Sequence, residues 1–429
     1  MEINEQRHTA EQTVRALVQR SHRGPGDLVL TTDRRRPAPG PGEYLIRVGA
    51  AGVNFADVMQ AHGTYGGGPQ APYVAGFEAA GEIVAVGPDV ESPLPLGTHV
   101  VGTGPGAFAQ YMTMPAPGVL PVPSGWSDAQ ALGLVLNWAT ALAALKPLGQ
   151  IKAGEVVLVH AAAGGVGQAA VRLARHYGAR VIATASPAKH DTVRALGVDD
   201  VLDSRRPDLA EAITRLAGGV DLVLESVGQA TFETSLSVTA PFTGRIVVFG
   251  AASGDATLTT HDLVFTHPVQ VKGLHIGALA AAAPALYRSL LAEIDTLVAQ
   301  GVYPPGSPHV HPLAEGPGCC GNSKRAGPAA STPWIRGVRA RVDTRPALPL
   351  PPAPRGVRRA QWIPGAGSAR AHCDGLTGSS SLNQPGNSGS ARQTSAIETM
   401  ASHDASARGP GLPASSSAYS WLHRWDVTW

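Results

Sequence analysis

Cysteine is almost missing from this 429-residue chain, and its absence excludes several classes of site. The three cysteines (Cys319, Cys320 and Cys373) all lie after residue 318, so residues 1–317 contain neither disulfides nor cysteine-ligated zinc. No apolar run reaches the about 18 residues that a membrane-spanning helix needs. The first ten residues are too polar for a secretory signal. We therefore expect a cytoplasmic protein that does not enter a membrane.

Acidic residues are scarce after residue 318. Residues 318–429 carry 13 Lys and Arg residues against 5 Asp and Glu residues, a net charge of +8, which leaves −6 for residues 1–317. The mildly acidic body gives no reason to expect a nucleic-acid partner. The C-terminal segment is rich in Ser, Gly and Pro, a composition that predicts a disordered tail.

Long helical patterns are missing from the first 125 residues, where glycine and proline are frequent. Short alternating apolar patterns begin at Val14 and recur at Tyr44–Val53 and Glu82–Gly87. Short strands joined by many turns are therefore predicted for this part of the chain. The first long helical pattern is Ala131–Leu145.

After Gly154 the pattern changes to short apolar runs that alternate with helical segments. Such alternation predicts a doubly wound parallel sheet. The predicted strands are Glu155–His160, Arg180–Ala185, Asp221–Ser226, Arg245–Gly250 and Val269–Gly277.

A glycine-rich turn follows the first of these strands and opens a helix. Ala162, Gly164 and Gly167 occupy the three positions of the dinucleotide fingerprint G-x-G-x-x-G, with alanine at the first. Such a turn lets the backbone approach a pyrophosphate, and the helix N-terminus favours its negative charge. We predict that Gly164, Gly165, Val166 and Gly167 bind a dinucleotide. The alternative is a purely structural turn.

The end of the second strand predicts which dinucleotide is bound. Proteins that bind NAD usually carry Asp or Glu there, on the ribose 2′-hydroxyl. This chain has Ala185 and Ser186, followed by Lys189. A small polar residue with a nearby cation suits a 2′-phosphate, so Ser186 and Lys189 predict NADPH. The alternative is that Lys189 is an ordinary solvated surface lysine.

Several segments follow one another in the order and spacing of a known family: AAGVNFADV, GFEAAG, the helix that contains Thr140, and HAAAGGVG. From about Val14 to Pro317 the chain resembles the medium-chain dehydrogenase/reductase superfamily. Within it, the chain resembles the zinc-independent quinone oxidoreductase group, also called zeta-crystallin-like. The resemblance implies an α/β fold in which a GroES-like β domain surrounds an inserted Rossmann domain.

The domain boundaries follow from this resemblance. Residues 1–13 are expected to be a leader outside the family fold. The GroES-like catalytic domain is expected at 14–137 and continues at 276–317. The Rossmann domain is expected at 138–275, and the disordered tail at 318–429.

The positions that match the catalytic zinc ligands of the superfamily hold Asn54, Phe77 and Leu136, which are not a usable ligand set. The resemblance therefore implies no metal and a direct hydride transfer from NADPH to a quinone or another electron-poor enone. An enoyl-thioester reductase is the alternative enzyme. A non-catalytic NADPH-binding protein, or a misfolded pseudogene product, is the alternative outside enzymology.

By the same resemblance, Asn54, Tyr65 and Thr140 lie around the nicotinamide. Tyr65 and Asn54 are the candidate catalytic residues, because the Tyr65 hydroxyl can donate to a carbonyl. The alternative is simple contact with cofactor or substrate. The remaining predicted cofactor contacts lie at strand ends and are Ser226, Phe249 and Gly250. A homodimer is also possible by resemblance.

The C-terminus departs from this family, whose members end with a short helix and a strand that closes the β domain. A shifted reading frame explains the departure. Reading Gly318–Arg325 in another frame permits VLRELEA, a family-like helix start. The β domain would then lack its closing strand. The alternative is a genuine basic tail able to touch nucleic acid.

Overall fold

The strands of the first half of the chain lie in two sheets, and within them they pair with one another antiparallel. The computed structural model describes residues 13–316 and the backbone of Trp334–Arg336. One sheet has the strand order β2-β1-β4. The other runs β15-β16-β3-β5-β6-β8, with β7 paired to β3; its first two strands, β15 (Val310–Pro312) and β16 (Trp334–Arg336), come from later in the chain. The strands up to residue 125 are β1 (Thr13–Gln19), β2 (Leu28–Arg35), β3 (Glu43–Gly52), β4 (Tyr73–Val74), β5 (Glu78–Val86), β6 (His99–Thr103), β7 (Tyr111–Pro115) and β8 (Leu120–Pro121). A short helix, α1 (Phe55–Ala61), follows β3.

Alternating apolar side chains hold this β domain together. On β1, for example, Leu17 is fully buried, and it packs in one cluster with Ile46 of β3 and Ile83 of β5. Phe108, Met112 and Met114 are also large, almost fully buried side chains of this cluster. The β domain predicted for the turn-rich first part of the chain is therefore confirmed.

The predicted Rossmann domain is also confirmed. Its six strands lie in the order β11-β10-β9-β12-β13-β14, and every neighbouring pair is parallel. The strand order reverses beside β9, which leaves a crevice at the carboxyl ends of β9 and β12. The strands are β9 (Val156–Val159), β10 (Arg180–Ala185), β11 (Asp200–Asp203), β12 (Leu222–Glu225), β13 (Arg245–Val248) and β14 (Gln270–Gly273).

Helices cover both faces of this sheet and continue beyond it. Helix α9 turns Leu290, Ile294 and Leu297 into a core that also contains Ala80 and Val101 of the β domain. One core therefore contains residues from both sides of the predicted boundaries 137/138 and 275/276, which stay predictions. The helices are α2 (Asp128–Ala131), α3 (Ala139–Ala143), α4 (Gly165–His176), α5 (His190–Arg194), α6 (Leu209–Ala217), α7 (Phe232–Val238), α8 (Ile276–Ala282) and α9 (Pro284–Ala299).

The segment Asp128–Leu148 joins the two domains and contains α2, α3 and two π-helical turns, Leu134–Trp138 and Ala144–Leu148. Among the described residues it is the one helical segment long and apolar enough to cross a membrane, but 72% of its apolar window is buried inside the protein. Burial of this kind is typical of a core helix.

A strand also follows residue 317, where the sequence predicted that the β domain has no closing strand. The backbone of β16 (Trp334–Arg336) lies between β15 (Val310–Pro312), to which it is parallel, and β3, to which it is antiparallel. That expectation is wrong for these three residues. Backbone N–H and C=O groups at the edge of β3 can pair with any extended segment, whatever its side chains.

The predicted tail otherwise lies outside the described residues, and so do residues 1–12 of the predicted leader. Thr13, the last residue assigned to that leader, already pairs with Arg35 at the start of β1. Thr13 is therefore part of β1, and the predicted boundary 13/14 stays a prediction.

The Rossmann core makes a direct test of this fold. Leu158 of β9 is fully buried among Ile182, Val223 and Ile246 of the neighbouring strands. Leu158→Ala should lower the free energy of unfolding by about 2–5 kcal/mol, because it removes buried methyl groups and leaves a cavity. Leu96, which is 65% exposed, is the control, and Leu96→Ala should change stability by less than about 0.5 kcal/mol. Equal losses in urea unfolding would contradict this packing.

Candidate functional site

The glycine turn between β9 and α4 has the geometry of a phosphate-binding loop. A methyl group at Gly167 would lie 2.4 Å from the Ala161 carbonyl oxygen and 2.6 Å from the Ala162 Cα atom, so only glycine fits where α4 packs against the turn. At Gly164 a methyl group would meet only the Ala161 carbonyl oxygen, at 3.3 Å, and otherwise open space. The unpaired N–H groups of the first turn of α4 are therefore open to an anion at this edge.

The end of β10 holds two polar groups for which the described residues provide no partner. The Ser186 hydroxyl oxygen is buried and has no hydrogen-bond partner among the described residues. Lys189 is half-buried, burial lowers its pKa, and no described carboxylate pairs with it. An unpartnered buried hydroxyl costs about 1–3 kcal/mol. An anion at this position would satisfy both groups, so the observed environment fits a 2′-phosphate better than it fits a solvated surface lysine.

A buried polar network orders the loops at the ends of β12 and β13. Glu225 accepts hydrogen bonds from the Ser235 hydroxyl at 2.6 Å and from the backbone N–H groups of Val227 and Gly228 at 2.7 and 3.1 Å. These bonds fix the loop that begins with Ser226. Although desolvation alone would raise it, the pKa of Glu225 lies below its ordinary value because of nearby His160 and these hydrogen bonds.

The same loop lies close to the end of β13. A methyl group at Gly250 would lie 2.8 Å from the Ser226 carbonyl oxygen, and the Phe249 N–H donates to the Glu225 carbonyl oxygen at 2.9 Å. The structure therefore brings Ser226, Phe249 and Gly250 together, and their contact with the cofactor stays a prediction. Glu225 is a residue that the sequence reasoning missed. The signal that could have revealed it is an acid at the end of an apolar buried strand.

A second buried carboxylate links Asn54 to the helical segment that follows the β strands. Glu78 is fully buried and accepts from the Asn54 amide at 2.9 Å and from the Gly133 N–H at 2.8 Å. Methyl groups built at Gly133 and at Gly165 would lie 3.4 and 2.6 Å from the Asn137 amide nitrogen. Glu78 thus links Asn54 to Gly133, and the Asn137 side chain lies close to both Gly133 and Gly165 at the start of α4.

This arrangement explains where Asn54 points. Its side-chain amide donates to Glu78, and its backbone N–H donates to the Asp57 carboxyl at 2.7 Å. Desolvation raises the pKa of Glu78 to about 7 and raises that of buried Asp57 well above its ordinary value. Asn54 is therefore held in place by a carboxyl group. The sequence reasoning missed Glu78 because it concentrated on the neighbouring Phe77.

Tyr65 and Thr140 differ in what their hydroxyl groups contact. The Thr140 hydroxyl donates to the Leu136 carbonyl oxygen at 2.7 Å, which leaves its oxygen free only as an acceptor. The Tyr65 hydroxyl oxygen lies 2.8 Å from Nε2 of His275, which follows β14. This hydrogen bond places Tyr65 at the carboxyl edge of the parallel sheet. No local sequence pattern signals a pair of residues 210 positions apart.

The positions that match zinc ligands hold no set of metal-binding groups. The side chains of Phe77 and Leu136 have no metal-binding atoms, and the Asn54 amide alone is not a ligand set for zinc. Within the described part of the chain, no group of three or more His, Cys, Asp or Glu residues is arranged to hold a metal ion. The residues present therefore do not fit a zinc ion at this place.

Replacing Glu78 should change how stability depends on pH. Because the folded-state pKa of Glu78 is about 7 against an ordinary 4.5, the folded protein holds this proton more tightly than the unfolded chain does. The stability it contributes is complete below pH 4.5 and is lost as the pH rises through 7, an expected loss of about 3 kcal/mol. Glu78→Gln should remove this decline in urea unfolding, and the exposed Glu91→Gln should keep it. Identical profiles in wild type and Glu78→Gln would contradict the assignment.

Two family models match the chain. The alcohol dehydrogenase GroES-like domain matches residues 40–124, and the zinc-binding dehydrogenase model matches residues 165–295. The curated relatives are much longer than this chain. A mycocerosic acid synthase-like polyketide synthase of Mycobacterium tuberculosis is 40% identical over 304 residues, which are 68% of this chain but 14% of that protein. Erythronolide synthase EryA2 of Saccharopolyspora erythraea is 46% identical over 213 residues, 47% of this chain and 6% of that protein.

Several solved structures are matched by this chain over almost their whole length. The CurK enoyl reductase is 30% identical, with a TM-score of 0.68 over 76% of this chain and 99% of that one. The mycobacterial protein Rv1454c complexed with NADPH is 31% identical, with a TM-score of 0.70 over 75% and 99%. A quinone oxidoreductase of Pseudomonas syringae pv. Tomato DC3000 is 29% identical, with a TM-score of 0.69 over 76% and 99%. The chain belongs to the medium-chain dehydrogenase/reductase superfamily of oxidoreductases.

Proposed function

We propose that this protein is an NADPH-dependent reductase of electron-poor double bonds and that it works without zinc. The position of Tyr65 is the main support for this proposal. Its hydrogen bond to His275 brings a hydroxyl donor of the β domain to the edge where the glycine turn ends β9. A dinucleotide in a doubly wound fold binds at this same edge.

The cofactor assignment rests on the polar groups of that edge. The open turn at Gly164 suits the pyrophosphate, and Ser186 with Lys189 suits the 2′-phosphate. When bound, NADPH supplies the hydride. The neighbour Rv1454c, which was solved with NADPH, supports the same choice.

The chain's own residues handle the negative charge that develops on the acceptor. Tyr65 presents a hydroxyl that can donate a hydrogen bond to a carbonyl oxygen or a proton to the reduced product. Burial raises the pKa of Tyr65, so the hydroxyl keeps its proton at neutral pH. Asn54, held by Glu78, lines the site rather than donating to the acceptor. Since the zinc-matching positions provide no ligand set, we infer a zinc-independent enzyme of the zeta-crystallin-like type.

Two acceptor classes remain, an enoyl thioester and a quinone. The polyketide synthase relatives and the CurK enoyl reductase favour the thioester, whereas the Pseudomonas quinone oxidoreductase favours the quinone. We propose the enoyl thioester as the main acceptor and the quinone as the second candidate. The possible homodimer and the cytoplasmic location stay predictions.

The lining of one groove in the β domain favours the enoyl thioester as the acceptor. It has a volume of about 580 Å³, and its lining includes Phe77, Tyr73, Arg34 and Arg35. No described carboxylate pairs with either arginine, and the buried Arg34 Nε atom has no hydrogen-bond partner. Natural thioester carriers bear phosphate groups, which arginine binds well. A free quinone has no such group.

Lys189→Ala should weaken NADPH binding selectively. Loss of one charge-assisted phosphate contact should cost about 1.5–3 kcal/mol, an increase in Kd of roughly ten- to 150-fold, with little effect on NADH. Lys152→Ala removes the same charge before the amino end of β9, at the opposite edge of the sheet, and serves as the control. Fluorescence titration with both cofactors measures the effect. An unchanged preference for NADPH in Lys189→Ala would show that Lys189 does not bind the phosphate.

Replacing Arg34 and Arg35 should separate the acceptor classes. We expect Arg34→Ala with Arg35→Ala to raise KM for an enoyl-coenzyme A by about tenfold or more, because phosphate contacts are lost. KM should stay unchanged for the same enoyl group on N-acetylcysteamine, which has no phosphate, and for a benzoquinone. Arg288→Ala, on the exposed face of α9, is the control. Equal changes for all three acceptors would contradict the role of the groove, and a rate only with the quinone would favour the second candidate.

A further inference from the structure

His275 has a defined protonation pattern because it caps a helix. The N–H of Ala278 donates to Nδ1 of His275 at 2.9 Å, at the start of α8. Nδ1 therefore uses its lone pair, and in the neutral ring the proton lies on Nε2. Since Nε2 lies 2.8 Å from the Tyr65 hydroxyl oxygen, His275 is the donor of this hydrogen bond and Tyr65 is the acceptor.

This direction determines what the Tyr65 hydroxyl can do. We propose that His275 is a positioning residue that holds the Tyr65 oxygen as an acceptor, so that the phenolic proton is directed at the acceptor of the hydride. A tyrosine that donated to His275 would have no proton to offer. The two rings lie 5.6 Å apart and tilted by 51°, so the contact is made through the polar atoms rather than by stacking.

The inference rests on the proposed function and completes its proton balance. The acceptor takes a hydride from NADPH at one carbon of its double bond. The O–H bond of Tyr65 then breaks, and the proton passes to the other carbon or to the carbonyl oxygen. The electron pair stays on the Tyr65 oxygen, where the Nε2–H group of His275 stabilises it. Water restores the Tyr65 proton, because the His275 side chain is exposed.

The hydrogen bond also connects the two domains. Tyr65 follows α1 in the β domain, whereas His275 follows the last strand of the Rossmann sheet. His275 thus holds Tyr65 at the edge of the sheet and also determines the direction in which the Tyr65 hydroxyl donates its proton. Burial raises the pKa of Tyr65, and the charge of buried Asp57 raises it further by a smaller amount.

The variant His275→Asn separates this role from helix capping. Asparagine is among the best N-cap residues, so its side-chain oxygen can still accept from the Ala278 N–H. Its amide is too short to reach Tyr65. We expect kcat to fall by about ten- to 100-fold, with KM for NADPH nearly unchanged, because a hydrogen bond to a developing charge is lost. In a Tyr65→Phe background the same substitution should cause no further fall.

Two results would overturn the inference. One is an unchanged kcat in His275→Asn, and the other is an equal fall in kcat in the Tyr65→Phe background. An inactive wild type with every acceptor would contradict the proposed function instead. If the wild type is inactive, NMR of isotope-labelled histidine still shows which ring nitrogen of His275 carries the proton. The inference requires a proton on Nε2 of His275 and a change in its signal in Tyr65→Phe, and a proton on Nδ1 would contradict it.

Discussion

The parallel sheet is the constraint on which the rest of the structure depends. Because β9, β10, β12, β13 and β14 run in one direction, their carboxyl ends lie along one edge. The first turn of α4 can approach that edge only because Gly167 has no side chain. A single methyl group there would collide with backbone atoms that cannot move aside. The open N–H groups, the Ser186 hydroxyl and the loop at Ser226 all reach the edge as a consequence.

Two buried carboxylates stabilise this edge in different ways. Glu225 has a histidine nearby and several donors, and its pKa stays below the ordinary value in spite of burial. Among the described residues, Glu78 accepts only from the Asn54 amide and the Gly133 N–H, so desolvation prevails and its pKa rises to about 7. Glu225 therefore serves as a fixed anion that orders a loop. Glu78 is partly protonated near neutral pH, and it holds Asn54 to the start of the helical segment at Gly133.

Local patterns in the sequence predicted the parts of the site that lie within a few residues of each other. The glycine turn and the residues after β10 belong to such segments, because strand, turn and helix signals are short-range. The Tyr65–His275 hydrogen bond, the Glu78 contacts and the pairing of Trp334–Arg336 with β3 depend on residues far apart in the chain. Only the tertiary fold brings these groups together. The direction of the Tyr65–His275 hydrogen bond also depends on the bond from the Ala278 N–H to Nδ1 of His275, which no pattern of residue types predicts.

We propose that hydride from NADPH reaches a carbon of an enoyl thioester at this edge. The most direct measurement uses NADPH deuterated at the transferable position, with mass spectrometry of the saturated product. The account predicts one deuterium per product molecule, on the carbon remote from the thioester carbonyl. Oxidation of the cofactor without deuterium in the product, or no oxidation with any enoyl thioester, would contradict it.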